Sequence, residues 1–268
     1  MRYVVDHDLH IHSQLSPCSS DPGQTIERIF QYGVENKIKH ICVTDHFWDE
    51  TLPTKFFWEG YNLLSKALPL PQGEGTTFHF GCEADMDWVS TVGITKKTAE
   101  KFDFIIVPTS HLHMSGKPED DNATRRQIYI DRWEALLNSD LPFRKMGLAH
   151  ITCNLIAGGR TSGDQWIEHL NILDSIPDET FKRLFAKTEK LGMGVEINEY
   201  LSRYKERGLE TFLRIYKIAI ECGCHFYFGS DAHHPNELNG GPGSRFEEYV
   251  DLLKLEEDQK FKPQGFVY

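Results

Sequence analysis

The chain of 268 residues reads as an α/β protein in which parallel strands alternate with helices. Three observations carry that prediction. Seven short apolar runs rich in β-branched residues recur along the chain, helical patterns separate or follow most of them, and histidines or carboxylates stand where the apolar runs end. Short apolar runs with polar flanks are strand-like, and their alternation with segments of 3.6-residue period implies right-handed crossovers between parallel strands. Seven such units suit a closed or distorted barrel, and an open doubly wound sheet satisfies the same alternation.

The predicted strands, in order, are Tyr3–Val5 leading into DLHIHS (8–13), HICVTDH (40–46), TFHFGCEADM (77–86), FDFIIVPTSH (102–111), KMGLAHI (145–151), MGVEINEY (193–200) and CHFYFGSDAH (224–233). Helices are predicted in TIERIFQYGVENK (25–37), KFFWEGYNLLSKAL (55–68), RRQIYIDRWEALLN (125–138), ETFKRLFAKTEKLG (179–192), ETFLRIYKIAIECG (210–223) and RFEEYVDLLKLEED (245–258). In the fifth, Phe212, Ile215, Tyr216 and Ala219 recur at three- and four-residue steps and Gly223 follows as a C-cap. The LEEDQK run (255–260) is expected to be a solvated helix end. Trp133, Trp166 and the series Phe56, Phe57, Trp58 and Tyr61 read as packing residues, and Cys222-x-Cys224 as structural, because no second pair completes a zinc site.

No linker rich in Pro, Gly or Ser divides the chain, and no tandem repeat appears beyond the strand–helix units, so a single domain over 1–268 is expected. A composition 40% hydrophobic supports one large core. The formal net charge of -11 disfavours long duplex nucleic acid, whose binding relies on a basic surface. No apolar run reaches the roughly 18–20 residues that span a bilayer. Six cysteines without regular pairing, and an N-terminus without a basic segment followed by an apolar stretch, fit a reduced cytoplasmic compartment.

His10-x-His12 and Asp231-x-His233 bracket the chain, with His46, Glu83, His111 and His150 between them. Residues two apart on a strand share a face, so each pair could chelate one ion. Imidazole nitrogen and carboxylate oxygen hold zinc, iron or manganese with positions left for water and substrate. His113 shares the period-two face of His111 and competes with it. Asp6, Asp8 and Asp45 are expected to orient histidines or cap turns. Two polar loops, 115–126 and 157–164, follow histidine-bearing strand ends and suit lids.

The ordered series DLHIHS, VTDH, Glu83 in GCEADM, His111 in PTSH, His150 in LAH and GSDAH resembles the PHP (polymerase and histidinol phosphatase) phosphoesterases. The resemblance runs from end to end of the chain. It implies a distorted seven-stranded (β/α)7 barrel, TIM-barrel-like, with two or three divalent ions of zinc, manganese or iron at the carboxyl ends of the strands. One ion would be held by His10, His12, Glu83 and Asp231, and a second by the shared Glu83 with His111 and His150. The third would be held by His46 and His233 with one further ligand. Histidinol phosphatase-like members carry a histidine at a place that falls on or near Cys18; Cys18, Asp21 or a water could fill it here. Glu83 would bridge ions, and Asp231, His233 or a metal-bound water would supply the proton near the leaving alcohol. Arg203, five residues beyond Asn198, resembles a phosphate-binding arginine, and Arg160 in AGGRTSG is a second candidate. The predicted activity is hydrolysis of a small phosphorylated metabolite, with histidinol phosphate the most economical substrate. The rivals are a nucleotide or oligonucleotide phosphatase or exonuclease, and a non-catalytic metal-binding interaction module.

Overall fold

The computed structural model describes residues 1–19, 21–54, 60–114, 121–158, 165–198 and 206–268. Strands β1 (His7–Ile11), β2 (His40–Val43), β4 (Thr77–Ala84), β5 (Phe104–Val107), β6 (Met146–Leu148), β7 (Gly194–Asn198) and β8 (Phe226–Gly229) pair in that spatial order, and the two-residue β3 (His46–Phe47) pairs with β4. Every pairing is parallel. The seven long strands curl into a nearly closed barrel, which settles the choice left between a barrel and an open sheet. At the seam between β8 and β1, side chains stand in for part of the ladder. His7 Nε2 accepts the Phe228 N–H at 3.0 Å and Asp8 Oδ1 accepts the Ser230 N–H at 2.9 Å. Farther along, the Asp231 N–H donates to His10 O and the His12 N–H to Ala232 O.

Helices α1 (Ile26–Glu35), α2 (Tyr61–Leu64), α3 (Lys96–Ala99), α4 (Asn122–Leu137), α5 (Gln165–Asp174), α6 (Asp178–Leu191), α7 (Arg207–Glu221) and α8 (Phe246–Leu253) complete the described elements. Thr25 caps α1 by accepting the Arg28 N–H. The end of α7 is a Schellman motif: Gly223 has φ +79, its N–H reaches Ile220 O, and the Cys224 N–H reaches Ala219 O. Two expectations fail. The helix predicted over 55–68 is one α turn followed by a 3-10 turn, Ser65–Ala67, with 55–59 outside the described residues. The LEEDQK run is not a helix end. The helix α8 stops at Leu253, Lys254 turns left-handed, Glu257–Gln259 form a 3-10 turn closed by a Glu256/Gln259 capping box, and Lys260 is buried against Asp6 and Glu257.

The barrel interior holds Leu9, Cys42, Phe104, Ile106, Ala149 and Tyr227, closed at the amino end by Phe261 and Phe266. The larger core, including Trp133, lies around it among strands and helices. This floor leaves the carboxyl ends of the strands as the open end. Among the described residues no helix is long and apolar enough to cross a membrane.

Candidate metal centre

His10 and His12 do point the same way from the end of β1, with their Nε2 atoms 3.1 Å apart. Asp231 Oδ1 lies 3.1 Å from His10 Nε2 and 3.2 Å from His12 Nε2, and Glu83 Oε2 lies 3.4 Å from His12 Nε2. The other Glu83 oxygen, Oε1, faces His150 Nε2 at 3.1 Å and His111 Nε2 at 3.9 Å. One carboxylate thus addresses two imidazole groups at once, the disposition that bridging two ions needs. A third group brings Cys18, His46 and His233 together beside His12. Cys18, His46, Glu83, His111, His150, Asp231 and His233 line a cavity of about 180 Å³. Donors of this kind, most of them buried and all converging within a few ångströms, match the coordination preferences of zinc, iron and manganese.

Asp231 and His233 converge, but not as a strand pair. The strand β8 ends at Gly229 and Asp231 adopts φ +56, so a turn aims its carboxylate at His10 and His12 while its carbonyl O lies 2.8 Å from His233 Nδ1. His150 also sits at positive φ, +25. Such backbone is disfavoured for residues with a Cβ, so two of the donor residues sit in a strained conformation. Likewise His111 and His113 share no strand face, because β5 stops at Val107 and a 3-10 turn covers Leu112–Met114. His111 is buried with its Nδ1 3.0 Å from Asp85 Oδ1, whereas His113 is exposed at the cavity edge.

Asp21 turns away, accepting the Gly23 N–H and pairing with His234 at 2.5 Å. Asp45 accepts both the N–H and the hydroxyl of Ser13, fixing the turn after β1, and Asp8 serves the seam and the Tyr32 hydroxyl. Only Asp6 contacts a histidine, His7, and at the opposite end of the barrel. Arg160 and Arg203 lie outside the described residues, as do 115–120 and 159–164 of the two loops; of the remainder, Asp121 caps α4 by accepting the Thr124 N–H.

Two carboxylates escaped the sequence reading. Glu196 receives His10 Nδ1 at 2.7 Å and also the His150 backbone N–H, holding one imidazole and one strand end together. Asp85 spans His111 Nδ1 and His46 Nδ1, at 3.0 and 2.8 Å. Ser110 Oγ completes the set, 3.0 Å from His150 Nδ1. Oxygen on one ring nitrogen fixes the tautomer and leaves the other nitrogen to the cavity. Its spacing of two from Glu83 offered a signal for Asp85, which stands one residue past the end of β4. Gly229 makes the Glu196 contact possible. A Cβ there would stand 2.1 Å from Glu196 Oε1 and 2.4 Å from His10 Cβ.

Burial alone would raise the Glu83 carboxyl, but the charges of His46 and His111, with hydrogen bonds from His12 and His150, hold it well below its ordinary range. Asp231 is held down in the same way by His10 and His233. Burial disfavours a charged His10, yet Glu196 and Asp231 raise it to about 10. At Cys18 burial again opposes ionisation, and His12, His233 and His46 prevail, bringing the thiol down to about 3. The cluster is therefore an array of mutually stabilised charges that only protons or metal cations can hold together.

The PHP domain family model matches residues 8–200. Among solved structures, the chain is similar to histidinol phosphate phosphatase (HisK) from Lactococcus lactis complexed with zinc, L-histidinol and phosphate, at 13% identity and TM-score 0.57, over 97% of this chain and 99% of that one. It is also similar to the candidate histidinol phosphatase hisK from Listeria monocytogenes, at 14% identity and TM-score 0.53, over 91% and 99%. No curated protein sequence matches. With the family model covering most of its length and the metal-binding cluster assembled at the strand ends, the chain belongs to the PHP domain family and is a hydrolase of the phosphatase kind.

Proposed function

We propose that the protein, as one hydrolase domain over 1–268, cleaves a small phosphate monoester, histidinol phosphate foremost, at a centre of two or three zinc, manganese or iron ions. The observation that carries the reading is Glu83, whose two oxygens face separate imidazole groups across a small cavity. Divalent ions held there would supply Lewis acidity towards the phosphoryl group and lower the pKa of a water to about 7. His10, His12, His111 and His150 hold the ions, with Glu83 shared between them and Asp231 completing the first group. Glu196, Asp85 and Ser110 keep the imidazoles in the ligating tautomer. Asp231 and His233 line the cavity in which the leaving alkoxide takes up a proton.

Three considerations support a small ester over a polymer: the confined cavity, the negative net charge, and a structural relative that binds histidinol and phosphate. A reduced, cytoplasmic setting suits a site with a thiol among its donors. Arg203 is proposed as the phosphate clamp and Arg160 as its second. The test is kcat/KM for histidinol phosphate, a nucleoside monophosphate and a short single-stranded oligonucleotide, with metals stripped and restored. We expect the first to lead, and activity to follow metal content. Preference for the oligonucleotide would move the assignment to a nuclease. Arg203→Lys should cost about 1.5–3 kcal/mol in kcat/KM, roughly tenfold to a hundredfold, with metal content unchanged. Undiminished activity would remove Arg203 from the site.

A further inference from the structure

The three donor groups are not chemically alike. Around Glu83 and Asp231 the donors are imidazole nitrogen and carboxylate oxygen. In the third group they are nitrogen and sulfur. The Nδ1 of His46 is 3.1 Å from Glu83 Oε2 and 2.8 Å from Asp85 Oδ2, and that of His233 is 2.8 Å from the Asp231 carbonyl O. Oxygen therefore stands at one nitrogen of each ring, and Cys18 Sγ lies within 4.8 Å of a nitrogen of both. His12 joins the groups. Its Nε2 faces Glu83 and Asp231, while its Nδ1 lies 3.9 Å from Cys18 Sγ and 3.3 Å from Ser16 Oγ, so it supports the sulfur from behind. Among the described residues, no carboxylate belongs to this third donor group.

We propose that Cys18, His46 and His233 form a sulfur-containing pocket that takes a thiophilic divalent ion such as zinc, while the carboxylate-bearing pockets beside it accept harder ions, so that the loaded centre is heterometallic. This rests on the metal-dependent reading above and adds metal selectivity to it. Thiolate ligands favour zinc and similar soft ions, whereas carboxylate and water suit manganese. The donors of the group lie within 4.8 Å of one another, close to what one ion with bonds of about 2.0–2.3 Å gathers in. A second thiol on the same cavity, Cys153, is buried and donates to Asn154 Oδ1 at 3.5 Å, away from the imidazoles.

The experiment strips the protein of metal and reloads it in two ways: with manganese in excess over one equivalent of zinc, and with cobalt(II) alone. We expect one zinc per chain to be retained against manganese, and the cobalt form to show a sulfur-to-cobalt charge-transfer band in the near ultraviolet. Cys18→Ser should lose the band and hold the third ion more weakly while still binding ions in the other pockets. Cys18→His should restore the third ion without the band, and Cys153→Ser should keep it. Circular dichroism checks that the variants fold; Cys18 is exposed, so serine disturbs no core. A band that survives Cys18→Ser overturns the proposal. Binding of two ions with no band in the parent protein defeats this inference alone, whereas failure to bind any transition ion defeats the phosphoesterase reading as well.

Discussion

Both ends of the barrel bury histidines next to carboxylates, yet among the described residues only one end gathers donors that could hold a metal. At the amino end, His7 Nε2 accepts the Phe228 N–H, its Nδ1 sits 3.3 Å from Asp6, and Asp6 is answered by Lys260 and Lys39 at 3.0 and 3.2 Å. His40 and His79 hydrogen-bond to each other at 3.1 Å and pack under Tyr268 and Phe266, the His79 ring lying nearly parallel to Phe266 at 3.5 Å. Burial pushes His40 down to about 4 and His79 to about 3, so these rings are neutral. At the carboxyl end carboxylates outweigh burial and raise His10, His46 and His150, Cys18 leads the groups that raise His12, burial holds His111 down, and no lysine or arginine is among the described groups paired to Glu83 or Asp231. A buried histidine is a ligand candidate when its carboxylate lacks a protein cation, and a packing residue when that cation is present.

The largest effect should come from cutting each end at its central carboxylate. Glu83→Ala leaves buried imidazoles without their shared partner, a loss of about 3–5 kcal/mol. Metal affinity should fall by about a hundredfold or more, since about 1.4 kcal/mol is a factor of ten, and activity should follow. Asp6→Ala should lower stability by about 1–3 kcal/mol, because Lys260 retains Glu257 at 2.7 Å, and leave metal content and kcat alone. Metal analysis and thermal melts on the two variants decide the matter. If Glu83→Ala keeps its metal, or Asp6→Ala loses it, the contrast between the ends is wrong.

Next in size is Gly229→Ala, where the added Cβ meets Glu196 Oε1 and His10 Cβ. Overpacking of this kind costs about 1–3 kcal/mol. Because the displaced groups are the ones that set the His10 tautomer, zinc titration should also show weaker binding at the His10 and His12 group. A variant as stable and as tightly metal-bound as the parent would mean that Glu196 is not held where the backbone of β8 puts it.

The donors that touch the cavity were legible because imidazole and carboxylate at successive strand ends are chemically conspicuous. Glu196 was not, since a single carboxylate inside an apolar strand carries no sign of which imidazole it backs; that depends on β7 standing one strand removed from β1, beyond β8, a tertiary fact. The same limit explains Asp231 and His233. Their spacing of two suggested a strand face, whereas a left-handed turn at Asp231 makes the convergence. His7, His40 and His79 look no different in sequence from His10 and His12, and only the position of Lys260, 253 residues beyond His7 along the chain, separates the two roles. Helices α3 and α5 were missed for a plainer reason: one is a single turn and the other, QWIEHLNILD, has polar residues interrupting its apolar face.

The smallest effect is a difference in pH response between the two ends. For His40 and His79 the folded value lies below the ordinary 6.5, so the unfolded chain binds more protons between 6.5 and about 4 and stability falls as pH falls through that window. Glu83 and Asp231, both held below their ordinary 4.5 and 3.8, contribute only to the loss below that window. His10 behaves in the opposite sense. Its folded value of about 10 lies above 6.5, so in the metal-free protein its contribution is complete below 6.5 and lost as pH rises to about 10. Ions compete with those protons, and zinc affinity should rise with pH over the same range. Melting temperatures of metal-free and zinc-loaded protein across pH 5 to 10 therefore separate the ends. Below about 6.5 the part of the decline that His40 and His79 cause should appear in both forms, whereas the part from His111, also held low by burial, should change when metal occupies it, and the alkaline decline should be present without metal and suppressed by zinc. An alkaline decline that zinc leaves untouched would show that the protons on the His10 group are not the ones metal displaces.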